Sequence, residues 1–231
     1  MRPLVLCYHA VVEGEPQRLA VSRESLESQL GSLLRRGYRP VRAADAVERR
    51  GRLLHVTFDD AYRSVVHTLP LLTELGVPAT IFACTEYARD GRPFDVPELR
   101  KDAAADPAAF ATMDWAALRA AVSGGVEIGS HTVSHPHLTR LADAELEREL
   151  RESKAELEDE LGAPCRYLTY PYGEADDRVR AAARRAGYDA AFAVDPGRGR
   201  SDRFGLPRLA VYRHDTNAGF RLKTSPLLRR R

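Results

Sequence analysis

The sequence predicts an α/β fold, more narrowly a distorted (β/α) barrel with about seven strands. Short apolar runs alternate with longer amphipathic segments along the chain, a pattern typical of a parallel sheet covered by helices. No G-x-G-x-x-G turn follows the first apolar run, so a dinucleotide-binding sheet is unsupported. Polar residues also gather at the predicted carboxyl ends of strands, where barrels of this kind carry their active sites. Residues 1–231 are expected to form a single domain, since barrels of this length are commonly one domain.

In the first part of the chain, two helices are each ended by a glycine. Leucines at helical spacing predict a helix over Glu24–Arg36, which Gly37 ends. A second helix, over Ser64–Leu75, ends at Gly76 in the same way. The other predicted elements are a short helix over Ala43–Arg50 and strands over Leu4–Tyr8, Tyr38–Val41, Leu53–Phe58 and Ala79–Cys84.

Residues 85–113 lack a periodic pattern and are rich in Asp, Ala, Pro and Arg. We expect them to form a loop over one end of the fold. Beyond them the alternation resumes, with a long charged amphipathic helix over Ala142–Leu161 and another helix over Asp176–Ala186 that Gly187 ends. The remaining elements are a helix over Trp115–Val122 and strands over Val126–Gly129, Tyr167–Tyr170, Ala190–Val194 and Leu206–Tyr212.

Composition restricts the classes of partner. The formal net charge is +2 with 33 acidic residues, so nothing indicates nucleic acid as a partner. The three cysteines are scattered without a C-x-x-C spacing, which argues against a disulfide framework or a cysteine zinc site. No segment has the length of a membrane span, and the apolar start of the chain is too short for a signal peptide. The default expectation is therefore a cytoplasmic protein, with an extracytoplasmic location open if a leading segment is missing from this sequence. The sequence does not indicate the oligomeric state.

Two adjacent carboxylates, Asp59 and Asp60, end a predicted strand. Two like charges so close together ionise cheaply only beside a compensating cation. A metal ion bound by one aspartate would relieve the repulsion and leave the other as a base. The alternative is a pair of solvated loop acids, or a cap for the helix that follows.

The histidines His131 and His135 follow another predicted strand in an H-x-x-x-H spacing. If the segment turns there, two imidazoles meet one ion, and with one aspartate they form a two-histidine, one-carboxylate set with open positions. Open positions admit water and substrate to the ion. Alternatively, one histidine caps a helix and the other is a core or surface residue. The ligand set favours Zn²⁺, although Ni²⁺, Co²⁺ or Fe²⁺ would also fit.

Taken together, these segments resemble the polysaccharide deacetylases, carbohydrate esterase family 4. The family's T-F-D-D-G motif is matched at its first four positions by Thr57-Phe-Asp-Asp-Ala61, and its H-[ST]-x-x-H motif is matched by His131-Thr-Val-Ser-His135. Tyr170-Pro-Tyr-Gly173 matches the P-Y-G part of the third motif, which by itself reads as a plain turn. The resemblance extends from Tyr8-His9 to Leu206-Pro-Arg208 and implies a (β/α) barrel enzyme.

The resemblance also implies roles for individual residues. Asp60, His131 and His135 would hold the metal ion, and Asp59 would be the general base that deprotonates the water activated there. The attack on the acetamide carbonyl creates an oxyanion, which the metal and a backbone N–H near Tyr172 would stabilise.

One departure from the family pattern concerns an arginine that usually stands two positions before the proline of the third motif and holds the catalytic aspartate. Thr169 occupies that position here. Arg166 lies three residues earlier, and we expect its side chain to point away from the catalytic aspartate. Arg208 is a candidate substitute, with an exposed arginine as the alternative.

The other departure concerns the general acid. The late candidate is His214, and the early one is His9, at the end of the first predicted strand. A branch resembling the biofilm poly-N-acetylglucosamine deacetylases carries this histidine in an early Y-H segment, so we favour His9. A histidine that titrates near neutral pH suits the protonation of a leaving amine.

The function predicted from the sequence is therefore metal-dependent removal of acetyl groups from N-acetylated sugars of the N-acetylglucosamine type. Two alternatives stay open: an amidohydrolase of the same fold acting on a small non-sugar amide, and an inactive glycan-binding relative. The presence of both aspartates and both histidines argues against the inactive relative.

Overall fold

A computed structural model describes residues 1–12, 19–194 and 202–225. Within them, eight strands pair in parallel in the order β1-β8-β7-β6-β5-β4-β3-β2, and β1 also pairs with β3. This pairing closes a barrel of seven strands, with β2 as a short addition beside the start of β3. The strands are β1 Leu4–Tyr8, β2 Arg39–Pro40, β3 Leu53–Phe58, β4 Ala79–Ala83, β5 Glu127–Ser130, β6 Tyr167–Thr169, β7 Ala190–Val194 and β8 Leu206–Ala210. The predicted (β/α) barrel is thus confirmed.

The strands are apolar on both faces because one face lines the barrel lumen and the other packs under helices. All six residues of β3 are buried. Two separate apolar clusters result. The larger lies between barrel and helices, and the smaller fills the lumen with Val5, Phe82, Tyr167 and Phe192, packed against residues of the helix that follows β2.

Gly129 permits this lumen to pack. A Cβ atom built on Gly129 would lie 2.4 Å from the ring of Phe82, closer than real side-chain contacts. The Phe82 ring in turn contacts Phe192 in an edge-to-face arrangement, with ring centroids 6.0 Å apart. Gly129, two residues before His131, is therefore required by the lumen packing.

The helices begin where the sequence offers side-chain caps. The Ser22 hydroxyl accepts a hydrogen bond from the Ser25 N–H, and the Asp176 carboxylate accepts one from Val179. The helices are α1 Arg23–Arg35, α2 Ala43–Glu48, α3 Leu69–Glu74, α4 Thr85–Ala88, α5 Arg100–Ala105, α6 Pro107–Phe110, α7 Trp115–Ser123, α8 Asp143–Leu161, α9 Asp177–Arg185 and α10 Asn217–Lys223. In the described part of the chain, none of them is both long and apolar enough to cross a bilayer.

Two sequence-based expectations need correction. The single helix predicted over Ser64–Leu75 is a 3₁₀ segment, Arg63–Thr68, followed by α3. Pro70 has no N–H to continue α-helical hydrogen bonding through this stretch. The segment 85–113, expected to be a loop, contains α4, α5 and α6, and its Phe94 and Phe110 are buried. These helices are only one or two turns long, too short to show a periodic pattern.

Candidate active site

The polar residues singled out from the sequence lie at the carboxyl end of the barrel. His9 directly follows β1, Asp59 and Asp60 directly follow β3, and His131 directly follows β5. All strands run parallel, so these ends meet at one rim. Because each side chain leaves its strand at the same rim, residues distant in sequence become neighbours.

Asp60, His131 and His135 converge on one point. The Oδ1 atom of Asp60 lies 3.4 Å from Nε2 of His131 and 3.7 Å from Nε2 of His135. The three ligand atoms lie within 4.8 Å of one another, and all three side chains are buried. Asp60 Oδ1 has no hydrogen-bond partner among the described residues. An unpartnered buried carboxylate oxygen facing two imidazole nitrogens is a donor set that suits a divalent ion such as Zn²⁺.

The backbone is strained where it presents these groups. Asp60 has φ +63° and His135 φ +60°, values in the left-handed region that non-glycine residues seldom adopt. Such conformations cost free energy and persist only where the surroundings enforce them. The strain therefore coincides with two of the three converging side chains.

Hydrogen bonds hold the ring of His131 and the turn that carries His135. Nδ1 of His131 lies 2.9 Å from the Thr169 carbonyl oxygen, and a donated hydrogen bond there leaves Nε2 with its lone pair toward Asp60. The turn that carries His135 is held by the buried carboxylate of Glu149 on α8. Glu149 accepts from the N–H groups of Val133 and Ser134 and from the Ser134 hydroxyl. The ring of His131 is thus positioned by β6, and the turn that carries His135 is positioned by α8.

Asp60, His131 and His135 alter one another's pKa values. Burial acts to raise the pKa of Asp60, but the neighbouring imidazoles of His131, His135 and His9 outweigh it, so the pKa is lowered. Burial acts to lower the pKa of His131, yet the Asp59 and Asp60 carboxylates raise it. For His135, burial and the neighbouring His131 charge lower the pKa to about 3. His135 is therefore neutral at physiological pH, as a metal ligand must be.

Asp59 is paired with Arg208. Two guanidinium nitrogens of Arg208 donate to the two carboxylate oxygens of Asp59, each at 2.7 Å, and one of them also donates to the Thr57 hydroxyl at 3.0 Å. Both side chains of the pair are almost fully buried. Burial acts to raise the pKa of Asp59, but the Arg208 charge outweighs it and the pKa is held far below its usual range. Asp59 is therefore ionised and fixed in orientation.

Neither Thr169 nor Arg166 is placed to hold Asp59. Thr169 is buried at the end of β6, and its carbonyl faces His131 rather than Asp59. Arg166 is exposed and precedes β6, at the amino end of the barrel. A guanidinium from β8 thus reaches the aspartate at the end of β3, across the barrel closure formed by β1.

The two candidate acid histidines differ in their surroundings. A ring nitrogen of His9 lies within 4.8 Å of an Asp59 carboxylate oxygen, and Nδ1 of His9 is buried without a hydrogen-bond partner among the described residues. His214 is exposed and stacks on the Tyr212 ring, with centroids 5.5 Å apart. The structure brings His9 into the group around Asp59 and Asp60 and leaves His214 at the surface.

Tyr172 lies on the rim, above His135. Its backbone has φ +59°, and its ring lies edge-to-face against His135 at 4.7 Å and stacks on His137 at 3.9 Å. The hydroxyl donates to Glu98 Oε2 at 3.0 Å. Tyr172 is 38% exposed, an unusual value for so large a ring beside a buried site. This partly open aromatic surface is suited to a ligand with an apolar face.

Sequence reasoning missed two glutamates at this site. Glu149 lies on the apolar stripe of α8 with Leu146, Leu150 and Leu157, and a charged residue on such a stripe signals a buried partner. Glu98, in the segment expected to be a loop, offered no comparable signal. Its place beside Tyr172 depends entirely on how that segment folds over the rim.

The chain is similar to known deacetylases in sequence. The family model described as polysaccharide deacetylase matches residues 46–191. The chitooligosaccharide deacetylase of Sinorhizobium fredii is 29% identical over 147 residues, which cover 62% of this chain and 58% of that protein. The chain thus spans little more than half the length of this relative.

Two solved structures share the fold. The Streptococcus pyogenes deacetylase PplD, determined in complex with acetate, has a TM-score of 0.80 at 19% identity, covering 98% of this chain and 99% of its own. IcaB from Ammonifex degensii has a TM-score of 0.76 at 24% identity, covering 94% of this chain and 93% of its own. At these identities the likeness establishes the barrel architecture.

Proposed function

Because the chain belongs to the polysaccharide deacetylase family, we propose that it removes acetyl groups from N-acetylated sugars of the N-acetylglucosamine type with a divalent metal ion. One observation carries this proposal. Asp60, His131 and His135 converge on one point next to a second carboxylate, Asp59, that Arg208 holds ionised. Hydrolysis of an amide needs both an electrophilic centre and a base, and this arrangement offers a place for each.

The metal would be held by one carboxylate oxygen and two imidazole nitrogens. Zn²⁺ is the ion we favour, and Ni²⁺, Co²⁺ or Fe²⁺ suit the same donors. When bound, the ion would supply positive charge to acidify water and polarise the acetamide carbonyl. The neutral state of His135 and the orientation of His131 by Thr169 prepare both imidazoles for this role.

Asp59 is the base in this proposal. Its carboxylate takes a proton from the attacking water at one of the two oxygens that Arg208 contacts. The Arg208 guanidinium keeps the carboxylate charged and fixes its plane, because bidentate pairing leaves little rotational freedom. The same pairing lowers the pKa of Asp59 and so keeps the carboxylate in the ionised form that can accept a proton.

His9 is the acid in this proposal. After water has added to the carbonyl carbon, the C–N bond breaks, acetate departs, and the sugar nitrogen needs a proton. A ring nitrogen of His9 beside Asp59 can deliver that proton. The backbone N–H near Tyr172 would donate to the oxyanion. The exposed Tyr172 ring, anchored by Glu98, would support the sugar.

The test is acetate release from N-acetylated chito-oligomers by the metal-depleted protein and after reloading with each of the four ions. We expect activity only after reloading. The Asp60→Ala variant should bind less metal and release no acetate, whereas Asp159→Ala, at an exposed position of α8, should match the wild type. Release from small non-sugar amides alone would move the function to an amidohydrolase. Stoichiometric metal without any hydrolysis would indicate a glycan-binding relative.

A further inference from the structure

A second group of metal-ligating side chains lies beside the proposed metal site. The thiol of Cys7, a ring nitrogen of His9 and a carboxylate oxygen of Asp59 all lie within 4.8 Å of one another. None of these three residues is among the proposed ligands Asp60, His131 and His135. The group adjoins that site, because Asp59 and Asp60 are consecutive residues and because Asp59 and His9 are the base and the acid of the proposed reaction.

Cys7 extends from β1 toward Asp59. Its thiol donates a hydrogen bond to Asp59 Oδ2 at 3.4 Å, and the side chain is fully buried. The proposed reaction uses no thiol, so this contact has no role in it. A sulfur placed against a carboxylate oxygen, two residues before a histidine, forms a mixed S, N, O donor set of the kind zinc and cadmium accept.

His9 has ligand capacity that the protein leaves unused. Its Nδ1 atom is buried and has no hydrogen-bond partner in the described ranges. A buried polar atom without a partner is costly, and a cation or a substrate group would satisfy it. The unpartnered Nδ1 atom supports a ligand site here independently of the cysteine.

We propose that Cys7, His9 and Asp59 form an inhibitory site for a second, thiophilic divalent cation, such as Cd²⁺ or Zn²⁺ in excess. Binding would form a bond from sulfur to the cation and release the thiol proton to solvent, with no change of oxidation state. The cation would inhibit the enzyme because it would bind both the base Asp59 and the acid His9. This inhibition rests on the proposed function.

Charge sets the order in which the two sites fill. The Arg208 guanidinium lies 2.7 Å from both oxygens of Asp59 and repels a cation there. The thiolate formed on binding offsets part of that repulsion. No arginine contacts Asp60 in the described part of the chain, so the Asp60 set fills first and the cysteine set fills only at higher concentrations of metal.

Cobalt distinguishes the sites without an activity measurement, because a cobalt–thiolate bond has a charge-transfer band in the near ultraviolet that nitrogen and oxygen ligands do not produce. We would titrate the metal-depleted protein with Co²⁺. The wild type should show the band only as the second equivalent binds, and the Cys7→Ser variant should lack it. The Cys165→Ser variant, which removes a buried thiol outside the group, should keep it.

The Asp60→Ala variant separates this inference from the proposed function, since it should lose the first equivalent and still develop the thiolate band. Absence of the band in the folded wild type, or its persistence in Cys7→Ser, would overturn the site. In activity assays, the Cd²⁺ concentration that inhibits Cys7→Ser should be at least about tenfold higher than the one that inhibits Cys165→Ser. Altering even the groups around a metal ligand commonly costs at least about tenfold in metal affinity. Equal inhibition of the two variants would contradict the inhibitory role.

Discussion

Arg208 donates to both carboxylate oxygens of Asp59 at 2.7 Å, across 149 positions of sequence. β1 lies between the strands that carry them, so the guanidinium reaches past Cys7, whose thiol contacts the same carboxylate. The family pattern supplies its arginine from the third motif, where this chain has Thr169. In this chain the guanidinium that contacts the aspartate comes from β8 instead.

Replacing Asp59 by Asn should abolish turnover while leaving metal binding intact. The amide cannot accept the proton of the attacking water, and general-base catalysis commonly contributes about 10²–10⁴ in rate. We expect acetate release to fall by that factor and the metal content, measured by elemental analysis, to stay at the wild-type value. Near-normal turnover in Asp59→Asn would remove Asp59 from the role of base.

Replacing Arg208 by Gln should destabilise the protein, because it leaves a buried carboxylate without its charged partner. Breaking such a pair costs about 3–5 kcal/mol in the free energy of unfolding, measurable by urea denaturation at neutral pH. Arg119→Gln, which breaks the exposed pair with Glu160, should cost less than about 1 kcal/mol. Similar losses in the two variants would show that burial of the Asp59 pair adds nothing.

Acid should weaken the contribution of the Asp59–Arg208 pair to the free energy of unfolding. The folded-state pKa of Asp59 lies far below the ordinary 3.8, so the pair stabilises the fold fully above pH 4. As pH falls below that value, the unfolded chain takes up the proton first and this contribution declines. The difference in unfolding free energy between wild type and Arg208→Gln should therefore shrink in acid. A constant difference between pH 7 and pH 3 would contradict the assigned pKa shift.

His9→Gln and His214→Gln form a matched pair that tests the identity of the acid. Only His9 lies beside Asp59, so His9→Gln should slow acetate release by about 10²–10⁴ while retaining metal in the Asp60 site. His214→Gln should remain close to wild-type activity. The opposite ranking would transfer the role of acid to His214.

His55 should make the fold sensitive to mild acid. It is buried in the barrel lumen, with Nδ1 2.9 Å from the Val41 carbonyl oxygen, and burial lowers its pKa from 6.5 to about 4. The unfolded chain therefore binds a proton between these pH values while the folded chain does not, and stability falls as pH decreases through this range. The loss should approach about 3 kcal/mol.

Urea denaturation of the wild type at pH 7 and pH 4.5, compared with His55→Gln and with the exposed-site control His67→Gln, measures this effect. The pH dependence should be reduced in His55→Gln alone. Identical pH profiles in all three proteins would rule out His55 as its source.

The sequence by itself determined the architecture and the nature of the site. Apolar runs alternating with amphipathic segments are a local property, and the parallel barrel follows from them. Asp60, His131 and His135 could be selected because each stands immediately after a strand or one turn beyond it, and parallel strands must bring such ends together. Pro70, which interrupts the helix predicted over Ser64–Leu75, is also a local feature of the sequence.

Only the tertiary structure decided which distant groups meet. It placed Arg208 against Asp59, put His9 rather than His214 in the group, and revealed the contact between Cys7 and Asp59. It also brought Glu98 to Tyr172 from a segment without a periodic pattern. The physical reason is that these contacts depend on strand register and barrel closure, which the free energy of the whole chain determines and no local pattern encodes.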